Sequence, residues 1–187
     1  MNEPLTPAQR ARYRRNVDVV GLGEAGQSRL LRSRVLVVGA GGLGSPVITY
    51  LAAAGVGRLV IADGDVVETA NLQRQVIHSE GLVGVNKALS AAARVADLNP
   101  DVAVEVVPRM VDAGSLAGLL PGVDLVLDCC DSYAAKFMLS DACAGAGVPL
   151  VWASAVGMQG QVSVCGVATA DSRALWLRDL FPAEPEP

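Results

Sequence analysis

The chain has 187 residues, of which 51% are hydrophobic, and a formal net charge of −4 at pH 7. This is the length of one ordinary domain with a short appendage. The net negative charge argues against a protein that coats nucleic acid. No apolar run approaches the roughly 18 residues that a membrane span requires. The N-terminal stretch lacks the apolar centre of a secretory signal, and the four cysteines show no C-x-x-C spacing, so we expect a cytoplasmic protein with reduced thiols.

The predicted elements alternate between strand and helix. Two short helices come first, at 6–15 with Thr6 as its N-cap and at 24–32. Strands follow at 34–39 and 58–63, which are apolar runs typical of buried strands, and at 102–108, 123–131, 148–155 and 160–167. Helices run from Leu43 to the stop at Gly55, at 84–98 and at 133–145. The last strand follows a glycine turn closely and is a candidate for an antiparallel strand. The alternation predicts an α/β fold, a Rossmann-like doubly wound, mostly parallel sheet with helices on both faces and an N-terminal helical extension.

A glycine-rich segment directly after the first strand indicates a phosphate-binding loop. Gly39, Gly41 and Gly44 follow the pattern G-x-G-x-x-G between a strand and a helix, and Gly42 adds a further glycine. Without Cβ atoms the backbone can turn tightly and approach a phosphate, and the helix that begins near Leu43 directs its free N–H groups to the same place. The alternative is that the glycines only form a tight turn between strand and helix.

Charged residues after the second strand are consistent with a bound nucleotide. Asp63 ends that strand, nineteen residues after the last glycine of the loop, where nucleotide-binding folds place an acid that accepts hydrogen bonds from ribose. Arg74 and Lys87 would add two positive charges beside the loop, which suits a triphosphate, and Lys87 stands at a helix start where the dipole disfavours a cation. The alternative is that Arg74 pairs with Asp65 or Glu68 and that Lys87 is a solvated surface charge.

Longer stretches resemble the ThiF/MoeB family, whose members are adenylyltransferases of small sulfur-carrier proteins and are related to the ubiquitin-activating enzymes. The matching segments are RYRRN (12–16), GAGGLGS (39–45), DGDVVETANLQRQ (63–75), VGVNK (83–87), NP (99–100), LVLDCCDS (125–132) and PLVWASAVGMQGQVSV (149–164). The glycine loop alone is a weak signal, but the D-x-D…N-L-x-R-Q run together with D-x-x-D forms a specific signature. The chain is therefore identified as a member of this family.

The resemblance implies a site for ATP and Mg²⁺. The residues that it places in contact with them are Gly39, Gly41, Gly42, Gly44, Asp63, Asp65, Asn71, Arg74, Gln75, Lys87 and Asp131. Asp63 would hold the ribose with Asp65 nearby, while Asp131 would coordinate the Mg²⁺ that bridges the phosphates. Among these residues Arg74, Lys87 and Asp131 would be catalytic.

The resemblance also implies a partner subunit and a protein substrate. Arg15 would be catalytic as an arginine finger that reaches the phosphates of the other subunit in a homodimer; the alternative is a surface charge in a basic cluster. The substrate would be a small ubiquitin-like sulfur-carrier protein ending in Gly-Gly, whose C-terminal carboxylate becomes an acyl-adenylate as pyrophosphate leaves, in sulfur transfer of the molybdopterin, thiamine or cysteine type. Two alternatives stay open: a truncated or degenerate nucleotide-binding scaffold without activity, and a nicotinamide- or flavin-dependent oxidoreductase, against which Gly42, Arg74 and Lys87 all argue.

The sequence departs from the family pattern near its end. Many members bind zinc with two C-x-x-C pairs, but Arg173 and Trp176 stand about where the first cysteines would fall, so we expect no zinc. The resulting division is an N-terminal helical extension at 1–33, a ThiF-type nucleotide-binding domain at 34–170 and a truncated, flexible tail at 171–187. We expect all four cysteines to be packed and His78 to be a structural or surface residue.

Overall fold

The computed structural model describes residues 4–184. The helices are α1 (Pro7–Arg12), α2 (Arg14–Val17), α3 (Gly23–Arg32), α4 (Gly44–Ala54), α5 (Lys87–Leu98), α6 (Ala113–Leu119), α7 (Tyr133–Ala146) and α8 (Leu177–Leu180). The strands are β1 (Arg34–Val38), β2 (Arg58–Ala62), β3 (Ala103–Val107), β4 (Leu125–Asp128), β5 (Leu150–Val156) and β6 (Gln159–Cys165). Among these described residues, no helix combines the length and apolar character needed to cross a membrane.

One six-stranded sheet organises the chain, in the order β3-β2-β1-β4-β5-β6. The first five strands run parallel, and β6 pairs antiparallel with β5. The strand order reverses between β1 and β4, and in open α/β sheets this switch point is where ligands bind. The predicted doubly wound fold and the antiparallel last strand are confirmed.

Alternating side chains of the strands supply two cores, one on each face of the sheet. Val35 and Val37 of β1 pack in a cluster with buried residues of α4 and α5. Leu36 and Val38 belong to the opposite cluster, which contains buried residues of α6 and α7. Because successive side chains of a strand point to opposite faces, the continuous apolar run of β1 fills both cores.

Helix α6 is an element that the sequence interpretation did not predict. It is only seven residues long and contains two glycines, so its apolar periodicity is weak. A capping box holds its start: the Asp112 carboxylate accepts from the Ser115 N–H at 2.7 Å, and the Ser115 hydroxyl accepts from the Asp112 N–H at 2.8 Å. Buried Leu116 and Leu119 then attach the helix to the sheet.

The N-terminal helices dock at the far end of α4 from the glycine loop. Tyr13 is buried, and its hydroxyl donates to Asp101 at 3.0 Å and accepts from Asn99 at 2.8 Å. The Asn16 and Gln27 amides both donate to the carbonyl of Ala54, the last residue of α4. Since α4 has 11 residues, these contacts lie about 16 Å along the helix from its first turn.

The segment assigned to a flexible tail contains packed structure. Leu177 of α8 is buried, and its N–H donates to the Ser140 hydroxyl of α7 at 3.1 Å. Arg178 forms two hydrogen bonds of 2.7 Å with the Asp141 carboxylate. The domain boundaries stay predictions, and the outermost residues of the predicted extension and tail, 1–3 and 185–187, lie outside the described residues.

Candidate functional site: a cleft at the switch point of the sheet

A cleft of about 540 Å³ lies at the carboxyl ends of β1 and β4. One wall is the glycine loop that follows β1, and the other is the segment 129–132 that follows β4, with 154–156 of β5 beside it. Of the residues predicted to form the site, those that line the cleft are Gly39, Gly41, Gly42, Asp63, Asp65, Arg74, Gln75, Lys87 and Asp131. The fold therefore assembles most of the predicted site from separate segments.

The glycines of the loop have two different roles. Gly39 has φ +96°, and a Cβ there would lie 2.7 Å from the Cys129 carbonyl oxygen. A Cβ on Gly44 would overlap the Gly39 carbonyl, so both glycines let the loop pack against the end of β4. Gly41 and Gly42 instead line the cleft, and the nearest atoms to their Cβ positions belong to the side chains of Gln75 and Arg74, respectively. Gly44 is thus structural, whereas Gly41 and Gly42 leave room for a ligand.

Asp63 holds the glycine loop and the start of the next segment. Its two carboxylate oxygens accept from the Ala40 N–H at 2.7 Å and from the Asp65 N–H at 2.8 Å. Each carboxylate oxygen can accept a second hydrogen bond, and Asp63 lines the cleft. The predicted contact with ribose hydroxyls is compatible with this arrangement.

Lys87 is buried at the first position of α5, and its ammonium donates to the Asp65 carboxylate at 2.9 Å. The two partners differ in exposure, since 7% of the lysine side chain and 54% of the aspartate side chain are exposed. Asn86 caps the helix by accepting from two backbone N–H groups. The alternative of a solvated lysine is therefore wrong. The alternative ion pair of Arg74 with Asp65 or Glu68 is also not formed among the described residues.

Arg74 is held by an amide rather than by an acid. Its guanidinium donates to the Asn71 side-chain oxygen at 3.1 Å, and the Asn71 amide donates to Glu68 at 3.2 Å. Asn71, which was predicted to contact phosphates, does not line the cleft but orients an arginine that does. Gln75 lies beside Arg74, is buried, and has a side-chain oxygen for which the described residues provide no hydrogen-bond partner.

A buried ion pair supports the wall that carries Asp131. The Lys136 ammonium, on α7, donates to Asp128 at 3.2 Å and to the carbonyls of Cys130 and Ala153 at 2.7 and 2.6 Å. Asp128 also accepts from the Cys130 N–H at 2.9 Å. Burial raises the pKa of Asp128, and the neighbouring ammonium opposes that shift. Through these contacts Asp128 orients the loop that carries Asp131.

Sequence reasoning missed Lys136, although a signal was present. It is one of only two lysines in the chain, and it lies within an apolar helix eight residues after Asp128. A lysine on an apolar helix face needs a buried acceptor, so the pairing could have been proposed.

The four cysteines, of which Cys129 and Cys130 line the cleft, are poorly suited to nucleophilic chemistry. Burial raises the pKa of Cys129 and of Cys143 to about 12, and raises the pKa of Cys130 and Cys165 as well. Because the thiolate is the reactive form, these thiols are inert near neutral pH.

Metal binding at this site would depend on the ligand. Within residues 4–184 no three His, Cys, Asp or Glu side chains cluster closely enough to hold a metal ion. Asp131 lines the cleft, and a single carboxylate suits Mg²⁺ that takes its other ligands from phosphate oxygens and water. The predicted absence of zinc stays a prediction.

Arg15 does not belong to the cleft of its own chain. It is exposed on α2, beside residues that contact the far end of α4. A role in catalysis would therefore require a second subunit.

A larger groove of about 870 Å³ runs along α6 and α7 but lacks comparable chemistry. Its lining is mostly small or apolar residues, and two of its charged residues, Asp141 and Arg178, neutralise each other. The smaller cleft is therefore the candidate site.

Comparison with known proteins agrees with this assignment. The sequence pattern of the ThiF family matches residues 13–187. The chain belongs to the ThiF family. The predicted resemblance is thereby confirmed.

Curated relatives within the ThiF family include two that align with nearly the whole chain. A protein named SAMP-activating enzyme E1, from Haloferax volcanii, is 46% identical over 187 residues, which is 100% of this chain and 67% of the relative. A probable adenylyltransferase/sulfurtransferase MoeZ from Mycobacterium tuberculosis is 43% identical over 188 residues, covering 99% of this chain and 48% of the relative. The chain thus spans between about half and two thirds of these relatives.

A solved structure of the same fold contains a nucleotide. It is the E. coli tRNA N6-threonylcarbamoyladenosine dehydratase TcdA in complex with ATP, 31% identical, with a TM-score of 0.75 over 84% of this chain and 64% of that chain. The present chain therefore shares its Rossmann-like sheet with a protein whose structure contains ATP.

Proposed function

We propose that this chain forms the ATP site of an adenylyltransferase that activates the C-terminal carboxylate of a small ubiquitin-like sulfur-carrier protein ending in Gly-Gly. The observation that carries the proposal is the convergence on one cleft of Lys87, Arg74 and the glycines at 41 and 42. Two cations and a loop with free N–H groups match the charge of a triphosphate. The names of the relatives, which include an adenylyltransferase and an activating enzyme, support the same class of reaction.

The chemistry requires positioning and charge neutralisation rather than a base. A carboxylate is ionised near neutral pH, so it can attack the α-phosphorus of ATP directly, forming a C–O–P bond as the bond to pyrophosphate breaks. Lys87 and Arg74 would neutralise the charge that grows on the leaving group. Asp131 would hold Mg²⁺, which, when bound, neutralises part of the phosphate charge. In a living cell we place this activity in the cytoplasm and in sulfur transfer, of the molybdopterin, thiamine or cysteine type.

The primary test compares two variants of the same helix. Lys87→Met removes the cleft cation, and Arg94→Met removes an exposed cation of α5 that does not line the cleft. With a Gly-Gly-ending carrier present, exchange of labelled pyrophosphate into ATP should fall about 10²-fold or more in the first variant and stay unchanged in the second. Equal exchange in both variants would refute the assignment of Lys87.

The second test concerns Arg15 and the homodimer. Arg15→Met and Lys87→Met chains should each be inactive alone, because every site lacks one cation. If the arginine acts in the partner's site, a mixed dimer contains one intact site, so an equimolar mixture should recover about a quarter of wild-type exchange. Failure of the mixture to recover activity would exclude action between subunits.

ATP binding without adenylation would favour the other candidate, a nucleotide-binding scaffold. Calorimetric titration with ATP and Mg²⁺ separates the two, since both bind nucleotide but only the enzyme exchanges pyrophosphate. A chain that binds NAD tightly and ATP weakly would instead restore the oxidoreductase hypothesis.

A further inference from the structure

The only histidine of the chain is built into the support of the glycine loop. His78 is buried, and its ring lies between the Ala40 carbonyl, 2.9 Å from Nε2, and the Ser90 hydroxyl of α5, 2.8 Å from Nδ1. A carbonyl oxygen can only accept, so Nε2 carries the proton and Nδ1 accepts from the serine. Burial lowers the pKa of His78, which keeps the ring in this neutral form.

The contact with Ala40 sets the direction of a neighbouring N–H group. Ala40 and Gly41 share a trans peptide unit, as do all adjoining residues in the described range. The carbonyl and the N–H of a trans unit point in opposite directions. Because the Ala40 carbonyl is directed to the buried His78 ring, the Gly41 N–H is directed away from it, and Gly41 lines the cleft.

The peptide units on either side are fixed in the same way. The Ala40 N–H donates to Asp63 at 2.7 Å, and the Gly41 carbonyl accepts from the Ser45 N–H at 2.9 Å. Within residues 4–184, the N–H groups of Gly41 and Gly42 have no protein acceptor. The Ala40 N–H, the Ala40 carbonyl and the Gly41 carbonyl are thus all occupied, and the N–H groups of Gly41 and Gly42 remain for a ligand.

We propose that His78 is a positioning residue for phosphate binding: through the Ala40 carbonyl it orients the Gly41 N–H toward the anionic part of the nucleotide. The inference rests on the proposed function, since the ligand is ATP. The role of His78 then depends on the hydrogen bond from Nε2 to the Ala40 carbonyl and not on the volume of the ring. A variant that keeps the donor at Nε2 should therefore work, and variants that lose it should fail.

Three substitutions separate the hydrogen bond from packing. His78→Gln places an amide N–H near the position of Nε2 and can still donate to Ala40. His78→Asn reaches only the position of Nδ1, and His78→Leu fills the space without any donor. Thermal unfolding of each variant verifies that the chain is folded before binding is measured.

Binding of ATP and of adenosine to the full chain is then measured by competition against a fluorescent ATP analogue. Loss of an oriented N–H donor should weaken ATP binding by about tenfold in His78→Leu and His78→Asn, with near wild-type affinity in His78→Gln. Adenosine has no phosphates, so its affinity should be the same in all four proteins.

Each contrary result has a distinct meaning. Unchanged ATP affinity in His78→Leu overturns the inference while leaving the proposed function intact. An equal loss of ATP and adenosine affinity also overturns it, because the ring would then be a general support of the fold. Absence of ATP binding in the wild-type chain would instead refute the proposed function.

Discussion

Replacing Lys136 by methionine should destabilise the protein strongly, because it leaves a carboxylate buried without its counter-charge. The side chains of Lys136 and Asp128 are 2% and 0% exposed, so water cannot replace the lost partner. Removing one member of a buried ion pair costs about 3–5 kcal/mol, a large part of the roughly 5–15 kcal/mol that stabilises a domain. With a urea m-value of about 2 kcal/mol/M, the unfolding midpoint should fall by about 2 M.

The double variant Lys136→Met/Asp128→Asn tests the cause of that loss. It removes both charges and keeps an oxygen that can accept from the Cys130 N–H, so more than half of the lost stability should return. In the single variant, burial raises the pKa of Asp128 without the opposing charge of the ammonium, so the folded state binds the proton more tightly than the unfolded state. Its stability deficit should therefore be smaller at pH 5 than at pH 7.5. A midpoint shift under about 0.5 M, or a double variant no more stable than the single one, would refute the reasoning.

Three further predictions concern the cleft and its surroundings. Gly44→Ala should weaken ATP binding by more than about tenfold and lower the melting temperature. Gly118→Ala, in an open part of α6, should preserve ATP binding and raise the free energy of unfolding by about 0.5–1 kcal/mol. Calorimetric titration measures the binding of both variants, and thermal melting measures their stability. Burial lowers the pKa of His78 in the folded state, so the neutral ring stabilises the fold above the unfolded-state pKa of 6.5 and this stabilisation is lost as the pH falls. The difference in the urea midpoint between pH 5.5 and pH 7.5 should therefore be smaller in His78→Gln than in wild type. Ellman's reagent at pH 8 should label Cys129 and Cys143 only after unfolding, since burial raises the pKa of each to about 12, and rapid labelling of the native chain would contradict this.

The parts of the fold that sequence predicted are those with strong local patterns. β1 and β2 are continuous apolar runs that end in glycine or aspartate, and their predicted and observed bounds differ by one residue. α6 was missed because its stability comes from a capping box and two buried leucines rather than from a long amphipathic pattern. A helix this short forms only when the sheet provides an apolar surface for its two leucines, so its own sequence does not predict it.

The candidate site likewise contains residues that the sequence predicted and contacts that it did not. The glycine loop, Asp63 and Lys87 carry recognisable local signatures, so their convergence could be predicted from the parallel order of the strands. The partner that holds the loop could not, because His78 acts through the Ala40 carbonyl, 38 residues distant along the chain. The contact of Lys136 with the Ala153 carbonyl, 17 residues distant, is of the same kind. A carbonyl acceptor leaves no trace in the sequence, since every residue carries one.

The ion pair of Lys87 and Asp65 explains how a cleft that would bind an anion can stay folded when no anion is bound. A lysine that is 7% exposed requires a counter-charge, and Asp65 provides it while more than half of its own side chain stays in water. An aspartate so exposed loses little when an incoming phosphate displaces it, whereas the lysine exchanges one anion for another and never stands alone. We therefore expect Lys87→Met to abolish nucleotide binding with little loss of stability, because the carboxylate that it leaves behind is already hydrated. A large fall in the urea midpoint of that variant would show instead that Lys87 is first a structural residue.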